Sequence, residues 1–356
     1  MLTKTLTPLL LGLLLLTGCS KPHDDGKSII VATYGGGWAD RIQRLVASEM
    51  DARGIKVTYV DANAQAAMAK LIAARGGPPP FDIMELDDQT YTALRSADYL
   101  ERLDLANIPR TAEIIGGSYD QYRVAFWVNQ PGLIYNADRL REAGVEPPQH
   151  LADLANPRLA RRVMLGDLGH YTGLYGLTQF IFEGGGSIEQ PQPGFDALAK
   201  INPHSYFTSA SLIGQLFETG ELWAAVSTDG AAARFQKSGL NMGMVHLQGT
   251  DGRIMVARGY FGRPKGSRNP AAAEAFINAL LSAESQLAIS RETGMIPVNR
   301  EALREVAREQ REGSNTHRFS NLDEQTLSNG YVPPYERIDL RDWTRRFQSA
   351  VAAQPR

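Results

Sequence analysis

Residues 122–136 read YRVAFWVNQPGLIYN. The run is rich in aromatic and β-branched residues and is about twice as long as an ordinary strand. Pro131-Gly132 falls in its middle, where a proline would remove a ladder donor from a continuous strand. A chain that leaves one sheet and enters another explains both features. A second such passage, RIMVARGYFGRP, lies at 253–264. Two passages between two bodies make a hinge. They place a first lobe at 28–125 plus 260–310 and a second lobe at 126–258, with a helical region at 311–356 packing on the lobes.

Outward from these passages, short β-rich runs alternate with helical patterns. The spacing predicts strands at SIIVAT (28–33), KVTYVDA (56–62), FDIMELD (81–87), RRVMLGD (161–167), LWAAVSTD (222–229) and NMGMVHL (241–247). Trp38, Ile42, Leu45, Val46 and Met50 share one helical face, as do Leu174, Leu177, Phe180 and Ile181. Ala273, Phe276, Ile277, Leu280 and Leu281, and later Trp343, Phe347 and Val351, repeat at helical spacing near the C-terminal end. Strand, helix, strand in succession argues an α/β fold with mostly parallel sheets covered on both faces.

The chain opens MLTKTLTPLLLGLLLLTGCS, a leucine-rich core too short to span a bilayer and flanked as an export signal is. Cys19 is the one cysteine in 356 residues, and the small residues before it resemble a bacterial lipobox. That resemblance implies a signal peptide at 1–18, acylation of Cys19 and anchoring to a lipid bilayer. Residues 19–27 read as a polar tether. With no further thiol, the body has no disulfide, no zinc-thiolate site and no cysteine nucleophile. A net charge of -2 with interspersed signs offers no field for nucleic acid.

In open α/β sheets ligands bind beyond the carboxyl ends of strands. Those ends carry Thr33-Tyr34-Gly35-Gly36-Gly37-Trp38, Asp87-Asp88-Gln89-Thr90-Tyr91, Asp167-Leu168-Gly169-His170-Tyr171 and Thr228-Asp229-Gly230. The candidate ligand-binding residues are therefore Tyr34, Gly36, Trp38, Asp87, Asp88, Tyr91, Asp167, Asp229 and Arg258. Glycines ahead of a helix admit a ligand to free N–H groups, or they serve only a tight turn with positive φ. Each aspartate reads equally as a helix N-cap. Trp127 and Trp223 read as core or hinge packing, and Arg258 on the return passage reads by default as solvated at the surface, with the cleft or a carboxylate as the alternatives. His170 has no partner at metal spacing, so no metal or cofactor is assigned. The chain has no G-x-S-x-G, H-E-x-x-H or Ser-x-x-Lys motif, which argues against a lipid-anchored hydrolase built on paired aspartates.

The runs IIVATYGGGWADRIQRLVASEMDARGIKVTYVDA, FDIMELDDQTYTALRSADYLERLD, YRVAFWVNQPGLIYNADRL, TGELWAAVSTDGAAARFQKSG and TGMIPVNREAL, in this order, resemble the extracellular solute-binding proteins of ABC importers. The similarity is greatest to the branch with spermidine/putrescine, thiamine, phosphonate and iron receptors. It implies a type II periplasmic-binding-protein fold and a monomer facing the periplasm. It further implies that the lobes close on a small solute and dock on an ABC permease of the inner membrane. In polyamine receptors carboxylates hold the ammonium groups while aromatic rings line the methylenes. Here Thr228 replaces an expected tryptophan and Arg258 stands where an acid is expected, so a zwitterion, carboxylate or phosphonate stays open beside a polyamine. Tyr206 is followed by Phe207 rather than by the second tyrosine of ferric receptors.

Overall fold

A computed structural model describes residues 27–74, 76–208 and 212–355; the signal segment and Cys19 lie outside the described residues. The strands are β1 (Ser28–Thr33), β2 (Lys56–Asp61), β3 (Ile83–Leu86), β4 (Leu100–Glu101), β5 (Val124–Asn129), β6 (Pro131–Asn136), β7 (Val163–Gly166), β8 (Ser205–Phe207), β9 (Ala224–Thr228), β10 (Met242–His246) and β11 (Ala257–Pro264). The helices are α1 (Gly37–Ala52), α2 (Ala64–Ala73), α3 (Asp88–Ser96), α4 (Ala137–Glu142), α5 (Tyr171–Glu183), α6 (Gln192–Leu198), α7 (Ile213–Glu218), α8 (Asp229–Lys237), α9 (Pro270–Leu280), α10 (Ala283–Thr293), α11 (Arg300–Arg311), α12 (Glu324–Ser328) and α13 (Leu340–Ala352).

Two sheets result, ordered β2-β1-β3-β11-β4, with β5 also on β11, and β10-β6-β9-β7-β8. In the first, β1 is parallel to β2 and β3, while β11 runs antiparallel to β3, β4 and β5. In the second, β7 is parallel to β8 and β9, and β6 is antiparallel to β9 and β10. The two-sheet α/β architecture is the expected one, but the sheets are mixed rather than mostly parallel, because β6 and β11, the strands of the two passages, run antiparallel to their neighbours. Asn129 pairs with Ala257 in the first sheet and Pro131 with Thr228 in the second, so the chain changes sheet at Gln130. Proline is tolerated there because it opens a strand rather than interrupting one.

Each sheet has its own core. Ile29, Val31, Ile83, Phe126, Phe261 and Phe276 are buried around the first, with Phe126 stacked on Phe261 at 4.8 Å between ring centroids. Leu133, Leu165, Val226, Phe180 and Tyr175 are buried around the second. The last helix, α13, joins this second core: Trp343 meets Phe195 edge-on at 6.1 Å and Phe347 meets Tyr206 at 5.2 Å. Since α11 packs on α10 beside the first core, the segment between α11 and α13 is a third chain passage between the two sheets.

That third passage is tied to the first by a polar knot at Gln130. The Gln130 N–H donates to Asp229 Oδ1 at 2.9 Å, its side-chain amide donates to the Asn321 carbonyl, and its Oε1 accepts from the Asn321 N–H at 2.8 Å. Ser320 Oγ completes the knot by donating to Asp229 Oδ2 at 2.6 Å.

The glycine run ahead of α1 has two separate causes. A Cβ on Gly35 would collide with the Asp61 carboxylate at the end of β2. Gly36 has φ +62°, a left-handed conformation that favours glycine. A Cβ on Gly37 would meet open space. No side chain caps the N-terminus of α1.

Candidate functional site

The carboxyl ends of β1 and β3 are in register, Ala32 beside Met84, which brings Thr33 beside Glu85. Thr33 Oγ1 donates to Glu85 Oε2, and Trp38 Nε1, from the first turn of α1, donates to the same oxygen at 3.0 Å. Trp127 Nε1 approaches Glu85 Oε1 at 3.4 Å. Trp127 and Asn129 share one face of β5, because alternate strand residues point the same way. Gly259 lies opposite Trp127 on β11, and any Cβ there would strike the indole.

The second sheet supplies the facing wall. Tyr171, the first residue of α5, lies 6.4 Å from Trp127 between ring centroids and stacks on His170 at 4.7 Å. Asn129 Nδ2 reaches the Tyr171 hydroxyl at 3.5 Å, while the buried Asn129 Oδ1 has no partner among the described residues. Tyr34 is 36% exposed as a residue, with its hydroxyl end against Ala64 at the start of α2 and within the fields of Glu85, Asp87 and Tyr171. Tyr34, Trp38, Glu85, Asp87, Trp127 and Asn129 of the first sheet thus gather on the side that meets Tyr171 and His170 of the second.

The acids here differ from the other buried acids of the first lobe. Asp82 pairs with Arg268, Asp88 with Arg123 and Glu274 with Arg263. Glu85 (1% exposed) and Asp87 (7%) have no cationic partner among the described residues. Burial pushes the Glu85 carboxyl up to about 7, although hydrogen bonds from Thr33, Trp38, Trp127 and the Tyr34 backbone oppose the shift. Burial raises Asp87 as well, against its capping bonds from Thr90. Tyr171 is pushed up to about 12 by burial, and His170 is lowered to about 4 by burial, which keeps it neutral at physiological pH. Positive charge stands at the edge of this region: Arg234 donates from Nη1 to the Thr293 carbonyl at 2.6 Å and is felt by Tyr171 and Asp229. Arg41 lies 5.9 Å from the Trp38 ring and is paired with Glu292.

The residues predicted from strand ends divide into two groups. Tyr34, Trp38 and Asp87 gather near Glu85 and Tyr171, while Gly36 forms the positive-φ turn between Tyr34 and α1. Asp88 instead accepts from Arg123 Nη1 at 3.0 Å, from the Tyr260 hydroxyl at 2.8 Å and from Tyr175 of the second lobe at 3.4 Å. Tyr91 donates to Asp120 and covers the Arg123 guanidinium at 3.8 Å, with Tyr260 on its other side at 4.0 Å. Asp229 is wholly buried in the Gln130 knot, and burial pushes its carboxyl up to about 6. Asp167 closes its own turn through the Gly169 N–H at 2.9 Å. Arg258 pairs with Val128, on the β11 face opposite Gly259, and donates to the Leu327 carbonyl. Strand-end reading missed Glu85, Asn129, Tyr171 and Arg234. Glu85 had a signal: like Asp82 it is a charge between apolar neighbours inside FDIMELD, and it lies two residues from the end of that run.

Two α/β bodies, each with its own core, meet at this cluster of aromatic rings and unpaired acids, an arrangement suited to a solute receptor. A sequence profile of bacterial extracellular solute-binding proteins matches residues 45–311, and the chain belongs to that family. Its members are transport receptors and not enzymes, and they act outside the cytoplasm as substrate-binding components of ABC transporters. Solved structures share the fold at low identity. The spermidine/putrescine-binding protein PotD of Streptococcus pneumoniae, solved with calcium and HEPES, has TM-score 0.69 and 20% identity over 92% of this chain and 98% of its own. AgtB of A. tumefaciens R10 with agropinic acid has TM-score 0.63 and 20% identity over 90% and 99%. Iron-bound HitA of Pseudomonas aeruginosa has TM-score 0.66 and 16% identity over 91% and 99%. A search among curated protein sequences finds no match.

Proposed function

We propose that the protein captures a small amine-bearing solute between its lobes and delivers it to an inner-membrane permease. The observation that carries this reading is the pair of buried acids, Glu85 and Asp87, that lack a cation of their own beside the aromatic walls Tyr34, Trp38, Trp127 and Tyr171. A buried carboxylate without a counter-charge is costly, and an ammonium group supplies the charge that the protein withholds. The unpartnered Asn129 Oδ1 adds an acceptor for one of the solute's N–H donors.

Arg234 and Arg41, near the uncapped start of α1, favour a solute whose other end is anionic. That would make the ligand a zwitterion, such as an amino acid derivative or aminophosphonate, rather than a simple polyamine. In this reading the lobes comprise 28–125 with 260–310, and 126–258, and the receptor is a monomer tethered by an acylated Cys19. Closure is a population shift driven by contacts formed only when the walls meet.

Thermal denaturation with putrescine, spermidine, an amino acid derivative and an aminophosphonate tests the class. A ligand at a hundredfold its Kd adds about 2.7 kcal/mol. Asp87→Asn retains the helix cap and removes the charge, so it weakens an amine ligand about 10- to 100-fold. Unchanged affinity in that variant removes Asp87 from the site.

A further inference from the structure

We propose that Glu85 is the positioning residue that makes the cleft select cations: buried without a counter-charge at the N–H edges of Trp38 and Trp127, it ionises, its proton passing to solvent, when an ammonium group settles against those rings. This rests on the amine reading above and adds which acid answers the ligand and how. Glu85 is 1% exposed, so it acts through the rings in front of it rather than by contact. Both indole N–H groups point at its carboxyl, Trp38 at 3.0 Å and Trp127 at 3.4 Å, which fixes the two rings and places any charge on Glu85 at the N–H edge of each. A cation near an indole is attracted by the ring's negative face, and a carboxylate accepting from that ring's N–H adds its own negative charge to the attraction.

Two indole N–H groups and the Tyr34 N–H donate to the carboxyl, and the Thr33 hydroxyl beside Oε2 can donate to the ionised form or accept the O–H of the protonated one. They are ready to hold the ionised form, yet burial without a counter-ion opposes it, and the balance lies near neutrality. The surrounding titratable groups do not supply a counter-charge. The end of β1 brings Tyr34, the β3–α3 turn brings Asp87, and α5 brings Tyr171 with the neutral His170 stacked on it. From α1 comes Arg41, already paired with Glu292. β5 and β11 bring Trp127 and Phe261, which do not titrate.

The bookkeeping of protons is closed. The solute arrives as an ammonium and keeps its proton, the Glu85 O–H bond breaks, and that proton passes to solvent. Affinity therefore rises on the order of tenfold per pH unit below the Glu85 titration point and levels above it.

The test is isothermal titration of the mature receptor with putrescine and with 2-aminoethylphosphonate from pH 5.5 to 8.5. Each pH is measured in two buffers of different ionisation enthalpy, alongside Glu85→Gln. Carboxyl carbon NMR of the ligand-free protein accompanies the titration. Expected are proton release on binding near neutral pH, a Glu85 resonance titrating near 7, and a flat, weaker affinity profile in Glu85→Gln. Binding without proton release, or a Glu85 midpoint below 5, overturns the proposal and leaves the amine reading standing. If neither probe binds, the amine reading fails and takes the proposal with it. Should Glu85→Gln fail to fold, the wild-type pH profile and resonance decide alone.

Discussion

Asp229 offers a sharp perturbation because the chain spends it on itself. It is wholly buried, accepts from Gln130 N and Ser320 Oγ, and has its carboxyl raised from the ordinary 3.8 to about 6 by burial. A folded-state value above the unfolded one means that folding holds the proton more tightly. The stabilisation is fully present below the unfolded value and is lost as pH rises through about 6. A shift of about two units corresponds to about 3 kcal/mol, fully expressed because the group is buried. Asp229→Asn is neutral throughout. Its amide oxygen still accepts from Gln130, and Ser320 turns its hydroxyl to accept from the new amino group. The variant therefore gains on the wild type as pH rises from 4 to 7. For a body of roughly 330 residues the gain is about 4 °C in Tm. Differential scanning calorimetry of both proteins at half-unit steps measures it, with ligand affinity determined at pH 7 as a control. A Tm difference that stays constant across this range, or shrinks toward pH 7, refutes the assignment of Asp229 as a buried hinge pin.

Two further outcomes follow from packing. Gly259→Ala forces the Trp127 indole off its seat on β11, costing about 1–3 kcal/mol and weakening ligand, read by denaturant unfolding and tryptophan fluorescence. Unaltered fluorescence and affinity would contradict the placement of Trp127 as a cleft wall. Trp343→Ala empties a buried site against Phe195 and costs about 3–5 kcal/mol, while ligand affinity in the remaining folded protein holds, since Trp343 packs on Phe195 of α6 and not on the candidate site residues. A loss of affinity without a loss of stability would reverse that assignment.

The strands at 28–33, 56–62, 81–87, 161–167, 222–229 and 241–247 were legible because each is a short apolar run closed by a turn. The change of sheet near Pro131 was legible because proline and strand length disagree locally. β8 was not, since Ser205–Phe207 is too short to show a period. The site was half legible. Tyr34, Trp38 and Asp87 stand at strand ends as expected, but Asp88 and Asp87 are adjacent and identical in type, and nothing local separates the cap from the acid held by Arg123. That separation comes from Tyr260, 172 residues away, and from Tyr175, 87 away. Arg258 turns from the cleft because its register opposite Val128 puts it on the other face of β11, a parity no single strand reveals. Glu85 was passed over because the reading weighed residues beyond strand ends, and Glu85 lies inside β3.

The central claim is that a positively charged group of the solute meets the unpaired acids of this cleft. Native mass spectrometry of the receptor isolated from cells, followed by identification of the released small molecule, tests it most directly. The account predicts a retained compound carrying a protonated amine, lost in Asp87→Asn. A retained compound with no basic nitrogen, held equally by both proteins, would contradict it.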